Sequence, residues 1–421
     1  MKKNKIYSIL SLMLMAFSLV GTSCRQEESP SIDDYPLNYK ITPVTLTKSA
    51  KVGAIYVNNP FANNNAAESQ YARLTSPYDV SDLSNPKLGS YVRPVLQRYN
   101  VDVRQSGSAD LFQQHLDWAK EAGIDFLIMP AVGYDANQPS SLNVNSLNNF
   151  NFFEGISDVS RGKIDWHGIE FCIQAQPSGI VANTSNSKMV EDDKDENGHS
   201  ENIAKLCKYF VGLADRFFRD DSLYYKVDGK PVLIITQPQD LHCRDSKAVY
   251  DSIRNAVREA VGVELYLVAR QNQWTPTARF INSFVSGGFD AFYMNTMYND
   301  VTPQRAGEMR PIYIDQNWQY NSQWAKENAN LDFIPSISPA FNAWVSDANR
   351  YSYPIENYDE ERFRTMCNVA KKNLSANNMV IIDSFNDWVN STAIEPTDPY
   401  YGNGYGMKML EIVKSEFKVN E

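Results

Sequence analysis

Cysteine and histidine are scarce in this chain, with five of one and four of the other in 421 residues. No two cysteines form a Cys-x-x-Cys pair, and His115, His167, His199 and His242 lack ligand spacing, which argues against a zinc site. Positive charge is also in deficit. Forty Lys and Arg against 50 Asp and Glu give a net charge of −10, which argues against nucleic acid as the main partner. No phosphate-cradling Gly-rich turn follows the first apolar run, so a nucleotide-binding reading is weakened. No nucleophilic Ser or Cys motif rises above chance, no internal repeat is evident, and no cofactor is expected.

What is present begins with a sorting signal. Lys2, Lys3 and Lys5 precede an apolar stretch, Ile9 to Val20, too short for a dependable membrane span. Gly21, Thr22 and Ser23 then lead to Cys24. This reads as a signal peptide over residues 1–23. Cys24 stands where a bacterial lipoprotein carries its lipid, although Gly21 replaces the usual aliphatic residue, and an ordinary signal peptide is the alternative. Arg25, Gln26, Glu27 and Glu28 resemble the surface-export tag of Bacteroidetes lipoproteins. The expectation is a cell-envelope protein, held through a lipid on Cys24 at the outer membrane and facing outward. Residues 24–48 are polar and proline-punctuated and read as a tether, leaving 49–421 as the folded domain. Cys172, Cys207 and Cys367 lie in apolar patterns and read as core fillers; with Cys243 they leave any disulfide pairing open.

Eight short runs rich in Val, Ile, Phe or Leu read as strands buried on both faces: 52–57, 125–130, 169–175, 231–236, 263–269, 290–296, 333–338 and 379–385. Helical stripes lie between several of them. Asp110 and Gln113 mark a helix start and Gly123 its end; Ile203 to Phe217, Val249 to Ala260, Phe363 to Ala370 and Met407 to Phe417 give further stripes. Eight strands with interleaved helices predict a (β/α)8 TIM-type barrel, with a doubly wound open sheet as the alternative.

In such a barrel the chemistry sits at the carboxyl ends of the strands. Those ends offer Tyr56, Asn58 and Asn59, then Gln174 and Gln176, Thr236 and Gln237, Arg270, Asn295 and Tyr298, and Phe341, Asn342 and Trp344. Amides and aromatics suit hydroxyl recognition and ring stacking, although ordinary loop polarity gives the same composition. The last strand run breaks into Asp383, Ser384, Phe385, Asn386, Asp387 and Trp388, with Asn390, Glu395 and Pro396 after it. Trp388 is the leading sugar-platform candidate. Trp274, Trp318, Trp324 and Trp344 fall in loop-like sequence, and Trp118 and Trp166 read as packing residues. Asp193, Asp195 and Asn197 with Gly198 imitate the start of a calcium loop, but Ala204 stands where its bidentate glutamate belongs and only Glu201 is near.

The segment Ser384-Phe-Asn-Asp-Trp-Val-Asn-Ser-Thr-Ala-Ile-Glu-Pro396 resembles the strand-end motif of glycoside hydrolase family 99 and its WbsX-like relatives, the endo-α-mannosidases and endo-α-mannanases. There it reads Ser-Phe-Asn-Glu-Trp-His-Glu-Gly-Thr-x-Ile-Glu-Pro. Weaker matches at Leu116–Phe126, Tyr224–Ile235, Gly288–Phe292 and Phe333–Ser338 extend the likeness over about residues 50–416. The resemblance implies a hydrolase cutting α-linked glycans internally. In the family one glutamate deprotonates the sugar 2-hydroxyl, and a second, three residues on, protonates the leaving oxygen. The first role falls here on Asp387, one methylene shorter and so roughly 1.5 Å short in reach, where errors of that size are costly. The second falls on Asn390, and a carboxamide has no acid proton. Three outcomes follow. Another carboxyl group (Glu395, Asp383, Asp300 or Asp315) supplies the proton, the substrate needs no acid, or the chain is a catalytically inactive glycan-binding lipoprotein. Transfer of sugar to an acceptor is a third class. The partner in each case is an oligo- or polysaccharide.

Overall fold

The computed structural model describes residues 39–57, 61, 65–99, 108–130, 164–181, 184–218, 222–271, 288–294, 309–350 and 355–419. The signal and lipidation residues through Cys24, and also Asn58, Asn59, Trp274, Asn295, Tyr298 and Asp300, lie outside them. The chain divides after Lys40, and Ile41–Glu421 is one unit. The expected tether boundary at residue 48 therefore moves back. Val44 N–H donates to Asn368 Oδ1 (2.7 Å), Asn368 Nδ2 donates to the Thr42 carbonyl (2.9 Å), and Ile41 and Leu46 pack against the core.

Eight parallel strands carry the unit: β1 (Lys51–Ile55), β2 (Phe126–Pro130), β3 (Glu170–Ala175), β4 (Lys230–Thr236), β5 (Tyr266–Gln271), β6 (Ala291–Met294), an interrupted β7 (Asp332–Phe333 and Ser336–Ile337) and β8 (Met379–Ile382). Each pairs with its sequence neighbour, and β8 pairs with β1. The first piece of β7 pairs with β6 and the second with β8, so the circuit closes through one strand that changes partner. Pro335 lies at the break and has no N–H to donate. Its carbonyl still accepts from Ile381 N (2.9 Å), while Ile334 N reaches the Phe292 carbonyl (2.9 Å). All eight strands fall within or beside the runs expected from sequence, and the open-sheet alternative is excluded by β7, whose two pieces pair with β6 and with β8.

Among the described residues, seven helices of ten or more residues surround the sheet: α1 (Asn65–Thr75), α2 (Ser108–Glu121), α3 (Glu201–Leu213), α4 (Ser246–Val261), α5 (Arg310–Ala329), α6 (Glu360–Lys372) and α7 (Lys408–Phe417). Side-chain caps start several of them: Ser200 accepts from Ile203 N, Asp245 from Ala248 N and Asp359 from Arg362 N. Asp110 lies inside the first turn of α2 rather than capping it, a position the helix dipole still favours. Helix α5 carries no clean apolar stripe, because Asp315 and Asn321 share its buried face with Ile314 and Trp318. This corrects the loop reading for Trp318, which is buried in the core, and for Trp324, which is partly buried against it.

Close packing inside the barrel sets one residue type by shape. Phe126 on β2 lies flat against Tyr225, with ring centroids 3.9 Å apart and planes 6° from parallel. A Cβ built on Gly53 of β1 would stand 2.3 Å from Phe126 Cζ. Gly53→Ala is therefore expected to cost about 1–3 kcal/mol as overpacking. Adding Phe126→Leu should recover part of that loss. Denaturant midpoints of the single and double variants check this.

Candidate active site

The rim above the carboxyl ends of the strands gathers residues from opposite walls. On one side Gln174 of β3 accepts from Arg270 Nη1 of β5 (3.4 Å), and Gln176 donates to Gln237 after β4 (3.0 Å). Gln237 adopts a left-handed backbone (φ 49°), and its N–H is held by the Arg270 carbonyl at 2.9 Å. Arg270 also faces the other wall. Its Nη2 lies 3.9 Å from Asp383 Oδ2, one residue past the end of β8. Since β5 and β8 are three strands apart in the circuit, this contact crosses the barrel lumen. Tyr293 of β6, in register with Arg270, is fully buried, and among the described residues its hydroxyl has no hydrogen-bond partner.

Asp387 sits on the loop after β8 and is partly exposed. Its N–H donates to Ser384 Oγ (2.7 Å), fixing the loop at that turn. Its carboxylate accepts two hydrogen bonds from one residue, Asn390 N (3.1 Å) and Asn390 Nδ2 (2.8 Å). Burial raises the Asp387 pKa above the usual aspartate value, while Asn390 and the Arg270 charge oppose the rise. Asp383 is likewise raised by burial; Arg270 lowers it and the Asp387 charge raises it further.

Several residues expected to face substrate do not. Trp388 has no exposed surface; it packs with Phe61, Leu74, Val92, Val345 and Ala393, and its indole N–H donates to Glu395 Oε2 at 2.8 Å. It therefore supports the loop and offers no sugar platform. Glu395 is also fully buried, which corrects its candidacy as a proton donor. Tyr99 donates to the same Oε2, and His115 Nε2 lies 3.7 Å from Oε1. Tyr56 is buried and hydrogen-bonded to His115 Nδ1 (2.7 Å). Asn386 is spent on β1, accepting from Val57 N and donating to the Val57 carbonyl, both at 2.8 Å. Trp344 is buried on the short helix Ala343–Ser346, and Asn342 caps that helix. Asp315 is buried on α5 and bound by Lys372 (2.6 Å) and Asn373 (2.9 Å), outside the barrel.

The suggested calcium loop is also committed elsewhere. Asp193 pairs with Lys188 (2.8 Å) and accepts from Asn202, while Asp195 accepts from the Asn197 and His199 N–H groups, with Asn197 serving as a turn residue. No group of three metal-ligating side chains occurs among the described residues.

Sequence reasoning therefore found Gln174, Gln237, Arg270 and Asp387, which the structure brings to one rim. It did not single out Tyr293, although an alternating inward register for β6 would have found it. Trp388→Phe should keep the packing and lose the indole donor to Glu395. The expected cost is about 1–3 kcal/mol, read from the denaturant midpoint; an unchanged midpoint would show that the buried bond carries no stability.

Comparison with known proteins adds a family to this geometry. No curated protein matches. Among solved structures, one described as a "Glycoside hydrolase-like protein" is 26% identical, with a TM-score of 0.72, over 92% of this chain and 99% of that one. Two structures of the GH99 endo-alpha-mannosidase from Bacteroides thetaiotaomicron superpose with TM-scores of 0.54 and 0.52 at 15% and 16% identity; each covers 88% of this chain and 97% of the mannosidase. At that identity they show the shared barrel fold. A family model described as "Glycosyltransferase WbsX" matches residues 182–410, more than half of the sequence. The chain belongs to the WbsX family.

Proposed function

We propose that this chain hydrolyses an α-linked glycosidic bond within a mannose-containing glycan, with Asp387 as the base. The observation that carries the reading is the setting of Asp387. It is a partly exposed carboxylate on the loop after β8, held by two donors from Asn390 and acted on by the charge of Arg270, which binds the Gln174 amide. Amides and a guanidinium supply donors and acceptors for sugar hydroxyls. The α-mannosyl substrate class is supported by the likeness to endo-alpha-mannosidase structures. A binding-only reading draws on Asn390, which cannot supply a proton. A transfer reading draws on the family description.

One panel separates these readings. Wild type and Asp387→Asn are incubated with α-mannan oligosaccharides, with and without acceptor sugars, and scored for products and for retention. Wild type should cleave, and the variant should be slower by about 10²–10⁴-fold while still retaining glycan. Retention without products supports binding, and products formed only with an acceptor support transfer. The base acts ionised, so the rate should fall as pH drops through the raised Asp387 pKa. The acid limb should accordingly lie above the range of an ordinary aspartate.

The envelope location belongs to the same proposal. It is supported by the basic start, the short apolar stretch and Cys24 with Glu27 and Glu28 after it. Wild type should fractionate with membranes and incorporate labelled fatty acid, and Cys24→Ser should do neither. Identical fractionation of the two would remove the lipid anchor.

A further inference from the structure

Among the carboxyl groups considered as partners for Asp387, Glu395 is sealed beneath the loop and Asp315 is bound on the outside of the barrel. Asp383 differs from both. Its main chain is fixed, with its N–H donating to the Ile337 carbonyl (2.8 Å) and its own carbonyl accepting from Ser338 Oγ. Its side chain is 14% exposed and reaches toward the lumen, where Arg270 Nη2 stands 3.9 Å away, beyond hydrogen-bond distance. Among the described residues no donor is hydrogen-bonded to its carboxyl group.

Asp387 is in the opposite condition, with two donors on its oxygens. Hydrogen bonds to a carboxylate favour its ionised form. When two carboxyl groups share one site their environments drive them apart, and the proton stays on the one with fewer donors. We infer that Asp383 is the proton donor of this site and that Asn390 is the positioning partner that leaves Asp387 as the base. The inference rests on the hydrolase reading above.

The remaining electrostatics agree in sign. Burial and the Asp387 charge both favour the protonated form of Asp383, and Arg270 works against them. Arg270 also acts on Asp387, so it moves both groups the same way rather than separating them. Tyr293, from the β6 wall, is neutral and buried beside Arg270 and Asp383. In the first step the sugar 2-hydroxyl loses its proton to Asp387 as its oxygen bonds to the anomeric carbon, the bond from that carbon to the leaving oxygen breaks, and the Asp383 proton passes to the leaving oxygen. In the second step water bonds to the anomeric carbon and gives a proton to the Asp383 carboxylate, while the anomeric bond to the 2-oxygen breaks and Asp387 returns its proton to that oxygen. One water is consumed and both carboxyl groups regain their starting states.

The test uses the full chain with two substrates, an α-mannan oligosaccharide and α-mannobiosyl fluoride, whose leaving group needs no proton. Asp383→Asn should slow oligosaccharide cleavage by about 10²–10⁴-fold and fluoride cleavage far less, with loss of the alkaline limb of the pH profile. Asp387→Asn should slow both. Unchanged oligosaccharide cleavage in Asp383→Asn, or equal loss on both substrates at a wild-type unfolding midpoint, overturns the assignment. A second readout needs no turnover. The infrared carbonyl band of a protonated carboxyl group, followed with pH in wild type and in Asp387→Asn, should persist above the ordinary aspartate range in both. Its disappearance in Asp387→Asn would place the proton on Asp387 and refute the inference, even if Asp383→Asn does not fold. A wild type that cleaves neither substrate but keeps the band would defeat the hydrolase reading alone.

Discussion

Glu395 has no contact with solvent, and removing a carboxylate from water costs on the order of several kcal/mol unless donors meet it. Tyr99 and the Trp388 indole meet it on one oxygen, and His115 approaches the other. Those three residues come from separate parts of the chain, so the carboxyl group is enclosed only when all have docked, and its Oε1 is left without a hydrogen bond among the described residues. The segment from Asp383 to Pro396 is thereby folded down over β1, where Asn386 clasps Val57 through both of its amide atoms. Asp387 rides on the outer side of this loop. Its position is thus set by groups that no substrate touches.

This arrangement explains why neighbouring residues of one motif differ so much in accessibility. Asn386 and Trp388 turn inward to hold the loop, while Asp387 between them turns to the rim. Asn390 then closes a small ring, with both its backbone and side-chain N–H groups on the same carboxylate. Arg270, reaching from the far wall, stands 3.9 Å from Asp383 and donates to the Gln174 amide of β3.

The strands were legible because a parallel strand buried on both faces needs an apolar run, and each of the eight is built on a short one, even where Pro335 breaks the seventh. Helix α5 was not legible, since its inner face holds Asp315 and Asn321, satisfied by Lys372, Asn373 and Asn317, contacts that periodicity cannot register. The rim amides and Asp387 were legible because strand ends are fixed once the strands are. The roles of Trp388 and Glu395 were not. An indole and a carboxylate seven residues apart look the same in sequence whether they face a sugar or each other. Only the third dimension shows that Tyr99 and His115 complete the enclosure.

The wall of the barrel is thinnest at β7. Two registered pairs hold it to β6 and two to β8, whereas every other seam has three to five. Local opening of a closed sheet is cheapest where the fewest backbone bonds must part, so this stave is the one that yields first. Asp383 and Ser338 stand at its upper edge. The compliance of the cylinder is therefore concentrated beside the carboxyl pair.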